Sequence, residues 1–125
     1  MTGILRMALT LQAGYYLLTG IWPVLHMASF EAITGPKTDD WLVRMVGLLA
    51  AAIGLTLAVA LKRGRWTPEV KTLAIVSALA FAAIDFRYAI PGRISAIYLA
   101  DAVVELVLVA VYLFARPRAG GEAAG

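Results

Sequence analysis

Cysteine is absent from this chain, so it can form no disulfide, no thiolate metal site and no cysteine nucleophile. Histidine occurs once, at His26, and one histidine with acids scattered over several segments has no metal-ligand spacing. Charge is scarce too: charged residues make up 15% of the 125, where soluble domains carry about a quarter. The basic residues flank apolar runs and no stacking aromatics beyond Trp66 accompany them, which argues against a nucleic-acid partner. Nothing in the sequence calls for a cofactor.

What fills the chain instead is apolar residues, 62% of the total, a membrane-protein composition. They fall into four runs, 7–25, 41–61, 70–89 and 94–114. At about 1.5 Å per residue, a run of about 20 residues covers a hydrocarbon core of about 30 Å. Met7 to Leu25 is too long for the apolar part of a signal peptide and lacks a small-residue cleavage site before Trp22-Pro23, so it is expected to be retained. Lys62, Arg63, Arg65 and Lys71 crowd one short loop, Arg116 and Arg118 follow the last run, and Arg6 precedes the first. Under the positive-inside rule these mark the cytoplasmic side. The expectation is an all-α membrane protein: an antiparallel bundle of four transmembrane helices over residues 1–115 of a cytoplasmic (inner) membrane, both termini cytoplasmic, with a disordered tail over 116–125. Its surroundings would be membrane lipids.

The fourth run carries two acids, Asp101 and Glu105. Four residues apart, they share a helix face, with Cβ atoms about 5 to 6 Å from each other. The same face holds Tyr98, Leu108 and Tyr112. An ionised acid near the centre of a span costs about 2.5 to 3.5 kcal/mol on insertion scales, so the pair must face protein or water.

The other runs carry partners for that stripe. In the first, Gln12, Tyr16, Thr19 and His26 lie on one face, with Pro23 near its end. His26 reads either as an interfacial side chain or as a proton acceptor at a cavity mouth. In the second, Arg44 sits one turn from the start, placed either to snorkel to headgroups or to pair with a carboxylate. Behind it, Gly47, Ala51, Gly54 and Ala58 form a small face suited equally to an internal contact or a homo-oligomer seam. In the third, Ser77, Phe81, Asp85 and Tyr88 share a face, and the Ile90-Pro91-Gly92-Arg93 turn sets Asp85 near the depth of Tyr98 and Asp101. Between the first two runs, Ser29-Phe30-Glu31 and the Thr34-Gly35-Pro36 turn suggest a short lid or re-entrant turn.

The segments Ala13-Gly14-Tyr15, Gly20-Ile21-Trp22, Ser29-Phe30, Thr34-Gly35-Pro36 and Asp40-Trp41-Leu42-Val43 through Gly47 form a pattern over the first half of the chain. It resembles small bacterial four-span membrane proteins of the DoxX-like kind, which implies a four-helix membrane fold and no particular substrate. Sorted by depth, the polar groups gather in the outer half of the four runs. That distribution favours an acid-lined pocket for a small lipophilic or cationic amphiphile, bound or transported, with Asp101, Glu105, Asp85, Arg44, Tyr16, Tyr98, Tyr88 and His26 as its ligand-binding candidates. Two alternatives stand beside it. One is an isomerase-like membrane enzyme in which Glu105, Asp101 or His26 shuttles a proton; the other is a purely structural set of interhelical pairs.

Overall fold

Five α-helices make up the computed structural model, which describes residues 1–115: α1 (Gly3–Leu25), α2 (Met27–Thr34), α3 (Asp40–Arg63), α4 (Pro68–Ala89) and α5 (Ile97–Phe114). The tail expected to be disordered, 116–125, lies outside the described residues. Local chemistry sets the boundaries. Thr2 Oγ1 accepts from the Leu5 backbone N–H to open α1, and Thr67 Oγ1 accepts from Val70 to open α4, with Pro68 as its first residue. Gly64, at φ +65°, closes α3 in the left-handed conformation that a residue with a Cβ adopts at a cost.

Two boundaries differ from the sequence reading. The loop after the first run contains a helix of its own, α2, because His26 breaks α1 with an extended backbone and its Nδ1 then accepts from the Ser29 N–H to start the next one. Pro23 stays inside α1. The last helix begins at Ile97 and not at Ile94. The Arg93 and Ile94 N–H groups both turn back to the Tyr88 carbonyl, and the Ser95 hydroxyl accepts from Ile97, so the turn takes up 94–96.

α1 packs most closely on α3, and α4 on α5. Along the first seam, Gly20 meets Gly47 and Ala51 while Gly54 meets Ala13 and Leu17, so the two helices run in opposite directions. A Cβ at Gly54 would lie 2.8 Å from the Ala13 carbonyl oxygen, and one at Gly20 would lie 2.8 Å from the Ala51 nitrogen. Here the small face of α3 is an internal contact. Across the bundle, Gln12 reaches Tyr112 and Tyr16 reaches Glu105, which makes α1 and α5 antiparallel; Gln12 to Ala74 and Tyr16 to Phe81 make α1 and α4 parallel.

The end of the molecule away from α2 is filled by Leu5, Leu9, Leu57, Trp66, Leu108 and Tyr112, with Trp66 tilted against Tyr112 at 5.1 Å between ring centroids. Outside, all four long helices expose large apolar side chains, among them Leu18, Leu49, Val76 and Val107. Inside are alanines together with buried Gln12, Ser77, Asp85 and Glu105. Two helices, α3 and α5, are long and apolar enough to cross a membrane.

Because backbone faces backbone at Gly54, the replacement Gly54→Ala must push α1 away from α3. Overpacking of this kind costs about 1 to 3 kcal/mol, so the variant should melt at a lower temperature in detergent than wild type. The exposed Thr56→Ala on the same helix serves as the control, and equal melting of the two would show that the seam has slack.

Candidate functional site

At the α2 end the four long helices separate around a cavity of about 660 Å³. Its wall takes Tyr15, Tyr16 and Thr19 from α1, Val43, Val46 and Ala50 from α3, Phe81 and Asp85 from α4, and Tyr98, Asp101 and Glu105 from α5. Phe30 of α2 and Lys37 of the following loop also line it.

The acid stripe of α5 faces α1. Tyr16 donates to Glu105 Oε1 at 2.6 Å, and Tyr15 donates to Asp101 Oδ1. A turn further from the cavity, Tyr112 donates to Gln12 Oε1 at 2.6 Å, while Gln12 Nε2 donates to the Ala74 carbonyl at 2.9 Å. Each buried polar atom in this chain of contacts is matched by a group on another helix, which is what a low-dielectric interior demands. Asp85 is the exception. Its carboxyl is hydrogen-bonded to that of Asp101, a contact that needs one of the two acids to hold a proton, and its Oδ2 is buried with no other donor.

Over the cavity sits the α2 segment. Trp22 Nε1 donates to Ser29 Oγ at 2.7 Å, and the Trp22 and Phe30 rings meet edge to face. Lys37 Nζ donates to the Thr34 and Gly35 carbonyls at 3.1 and 2.7 Å, and stands 5.4 Å from the Tyr98 ring centroid and 5.8 Å from that of Phe30. This ammonium therefore ties the segment to α5 through an aromatic face.

Of the residues singled out in the sequence, Tyr16, Asp85, Tyr98, Asp101 and Glu105 come together at the cavity. His26, Arg44 and Tyr88 do not line it. His26 is exposed and occupied in capping α2. Arg44 is exposed on α3. Tyr88 lies at the end of α4 with the Arg87 and Arg93 guanidinium groups 5.2 and 5.9 Å from its ring centroid. Tyr15 and Lys37 also line the cavity and were not among the sequence candidates. Tyr15 neighbours the recognised Tyr16, and the signal was there in a second acid on α5 needing its own donor. Lys37 sits in a loop, where no periodicity points to a site.

No family model, curated protein or solved structure matches this chain. Its chemistry must be read from the geometry alone. Among the described residues, no group of His, Asp and Glu is arranged to hold a metal ion. The cavity instead offers aromatic faces and carboxyls on one side and aliphatic side chains on the other, a surface that sorts molecules by apolar bulk and by hydrogen-bond donors or positive charge.

A second acid pair holds the covering segment. Glu31 faces Asp40 at the start of α3, and the hydrogen bond between the two carboxyls raises the Glu31 pKa, against the opposing pull of the Lys37 backbone N–H and ammonium. A raised carboxyl pKa means that this contact contributes its full stability below the ordinary glutamate value and loses it as the pH climbs through the folded-state value. The α2 segment should therefore loosen as pH rises above the ordinary glutamate range. Emission of Trp22, in a Trp41→Phe, Trp66→Phe background, should shift to the red over that range, and Glu31→Gln should flatten the shift. An unchanged pH profile in the Gln variant would remove this pair from the control of the segment.

Proposed function

We propose that the chain is a four-span membrane protein that binds or transports a small lipophilic or cationic molecule in an acid-lined pocket. The bundle is antiparallel, with the pocket in its outer half and both termini in the cytoplasm. The observation that carries this reading is an inverted polarity. Large apolar side chains cover the outside of all four long helices, while Gln12, Asp85 and Glu105 are buried within. Burying carboxyls in a membrane is costly, and chains retain them chiefly where they serve an ion, a proton or a ligand.

The cavity supports a ligand more than a purely structural role for the acids, because interhelical pairing alone would close the space between them. Its volume suits a drug-sized body, and its walls are mostly apolar with a few convergent polar groups. The isomerase-like alternative draws on one feature, the tyrosine–carboxyl pairs Tyr15–Asp101 and Tyr16–Glu105, which have the composition of a proton relay.

Absence of cysteine makes the topology directly testable. Single cysteines at the exposed positions Ala32 and Pro91 should react with a membrane-impermeant maleimide from outside intact cells, and one at Glu69 only after permeabilisation. Labelling of Glu69→Cys from outside would overturn the arrangement.

For the ligand, native mass spectrometry of protein purified gently from its host membrane should detect a defined small molecule on wild type that Glu105→Gln loses. An empty wild type, with a variant that is merely less stable or changed in subunit number, would move the acids to structural duty.

A further inference from the structure

The chemical class of the ligand can be narrowed from the hydrogen-bond inventory of the acid floor. Glu105 has Tyr16 as its donor, and Asp101 has Tyr15. Asp85, which lines the same cavity and is only 5% exposed, has an Oδ2 that receives no donor. Its neighbour is the Asp101 carboxyl, to which it is hydrogen-bonded, so the two adjoining acids hold one proton between them. Two buried acids held by a single proton leave acceptor oxygens without donors, and an N–H group carrying positive charge can take the place of that proton with charge-assisted hydrogen bonds to both.

The remaining wall fits the rest of such a molecule. Tyr16 and Phe81 meet edge to face at 5.3 Å between centroids beside the acids, and Tyr98 and Phe30 stand toward the covering segment. Aromatic faces attract an ammonium group and pack its methylenes. Among the lining residues the one basic side chain is Lys37, whose Nζ is engaged by the Thr34 and Gly35 carbonyls. An anionic head would meet three carboxyls.

We propose that Asp85 is the anchoring residue of the pocket, and that the ligand is an amphiphilic primary or secondary amine whose ammonium N–H groups bridge Asp85 and Asp101 while its apolar body lies among the rings. This rests on the pocket reading above and adds to it both the class of molecule and the residue that selects it. A quaternary ammonium has the charge without the N–H, and an alcohol has the O–H without the charge.

Three probes of equal chain length separate these features: octylamine, octyltrimethylammonium and octanol, each added to the full chain in lipid nanodiscs. Binding is read from ligand-dependent melting and confirmed by native mass spectrometry. Octylamine should bind wild type about ten- to a hundredfold more tightly than octanol, the range expected for hydrogen bonds to a charged group, and more tightly than the quaternary compound. Asp85→Asn should remove that preference. Equal binding of octylamine and octanol, a quaternary compound that binds as well as the primary amine, or an Asp85→Asn variant that keeps the amine preference would each overturn the amine assignment while the pocket still holds a ligand. Absence of binding by all three probes, together with an empty wild type from the host membrane, would overturn the pocket as well. Should Asp85→Asn fail to fold, the comparison of probes on wild type decides the matter by itself.

Discussion

The hydrogen bond from Tyr16 to Glu105 is the contact on which the interior depends. Both side chains are almost wholly buried, at 2% and 1% exposure, and a carboxyl at that depth without a donor would cost several kcal/mol. Tyr16 can be there because Gly54 of α3 has no side chain: a Cβ at that glycine would lie 3.0 Å from the Tyr16 Cβ. The small-residue seam and the acid site are therefore one arrangement. The seam brings α1 close to α3, which turns Tyr15 and Tyr16 toward α5.

Around this polar interior the usual solvent logic of a protein is reversed. A soluble bundle of this size would bury its leucines and valines and expose its acids and amides. Here alanines and polar groups fill much of the interior, with leucines buried at one end, while most of the large aliphatic residues of α1, α3, α4 and α5 point outward. In a membrane, hydrocarbon around such a bundle would leave little to gain by burying aliphatics. Close packing and hydrogen bonding between helices then hold it together. The Gln12–Tyr112 and Gln12–Ala74 bonds serve that end where the cavity gives way to packed rings and leucines.

The stripe on α5 could be read from the sequence because helical periodicity alone puts Tyr98, Asp101, Glu105 and Tyr112 on one face, and the cost of acids among apolar residues says which way that face turns. Asp85 followed from the short turn that returns the chain at Ile90 to Arg93. Rotation of the other helices was harder to read. Arg44 and His26 were placed by depth along the chain, but depth says nothing about which side of a helix meets the cavity: one faces outward on α3, and the other serves a backbone N–H at the break before α2. The start of α5 shifted for a similar reason, since Ile94 is apolar enough for a span while Ser95 and the Tyr88 carbonyl decide where the turn ends. Lys37 became visible only once its contacts with Tyr98 and Phe30 were known.

The glycine seam has a mechanical side. Backbone against backbone leaves α1 and α3 no side chain to reorient, so the two behave as one rigid frame. α4 and α5, joined by a tight turn, form a second body. The two bodies are clasped by polar bonds, Tyr15 to Asp101 and Tyr16 to Glu105 at the cavity and Gln12 to the Ala74 carbonyl one turn beyond it. Such bonds exchange readily for bonds to water or to a guest, whereas interlocked backbone does not. A hinge in this molecule would thus run between the α1–α3 frame and the α4–α5 leaf, with the acids along the line where they part.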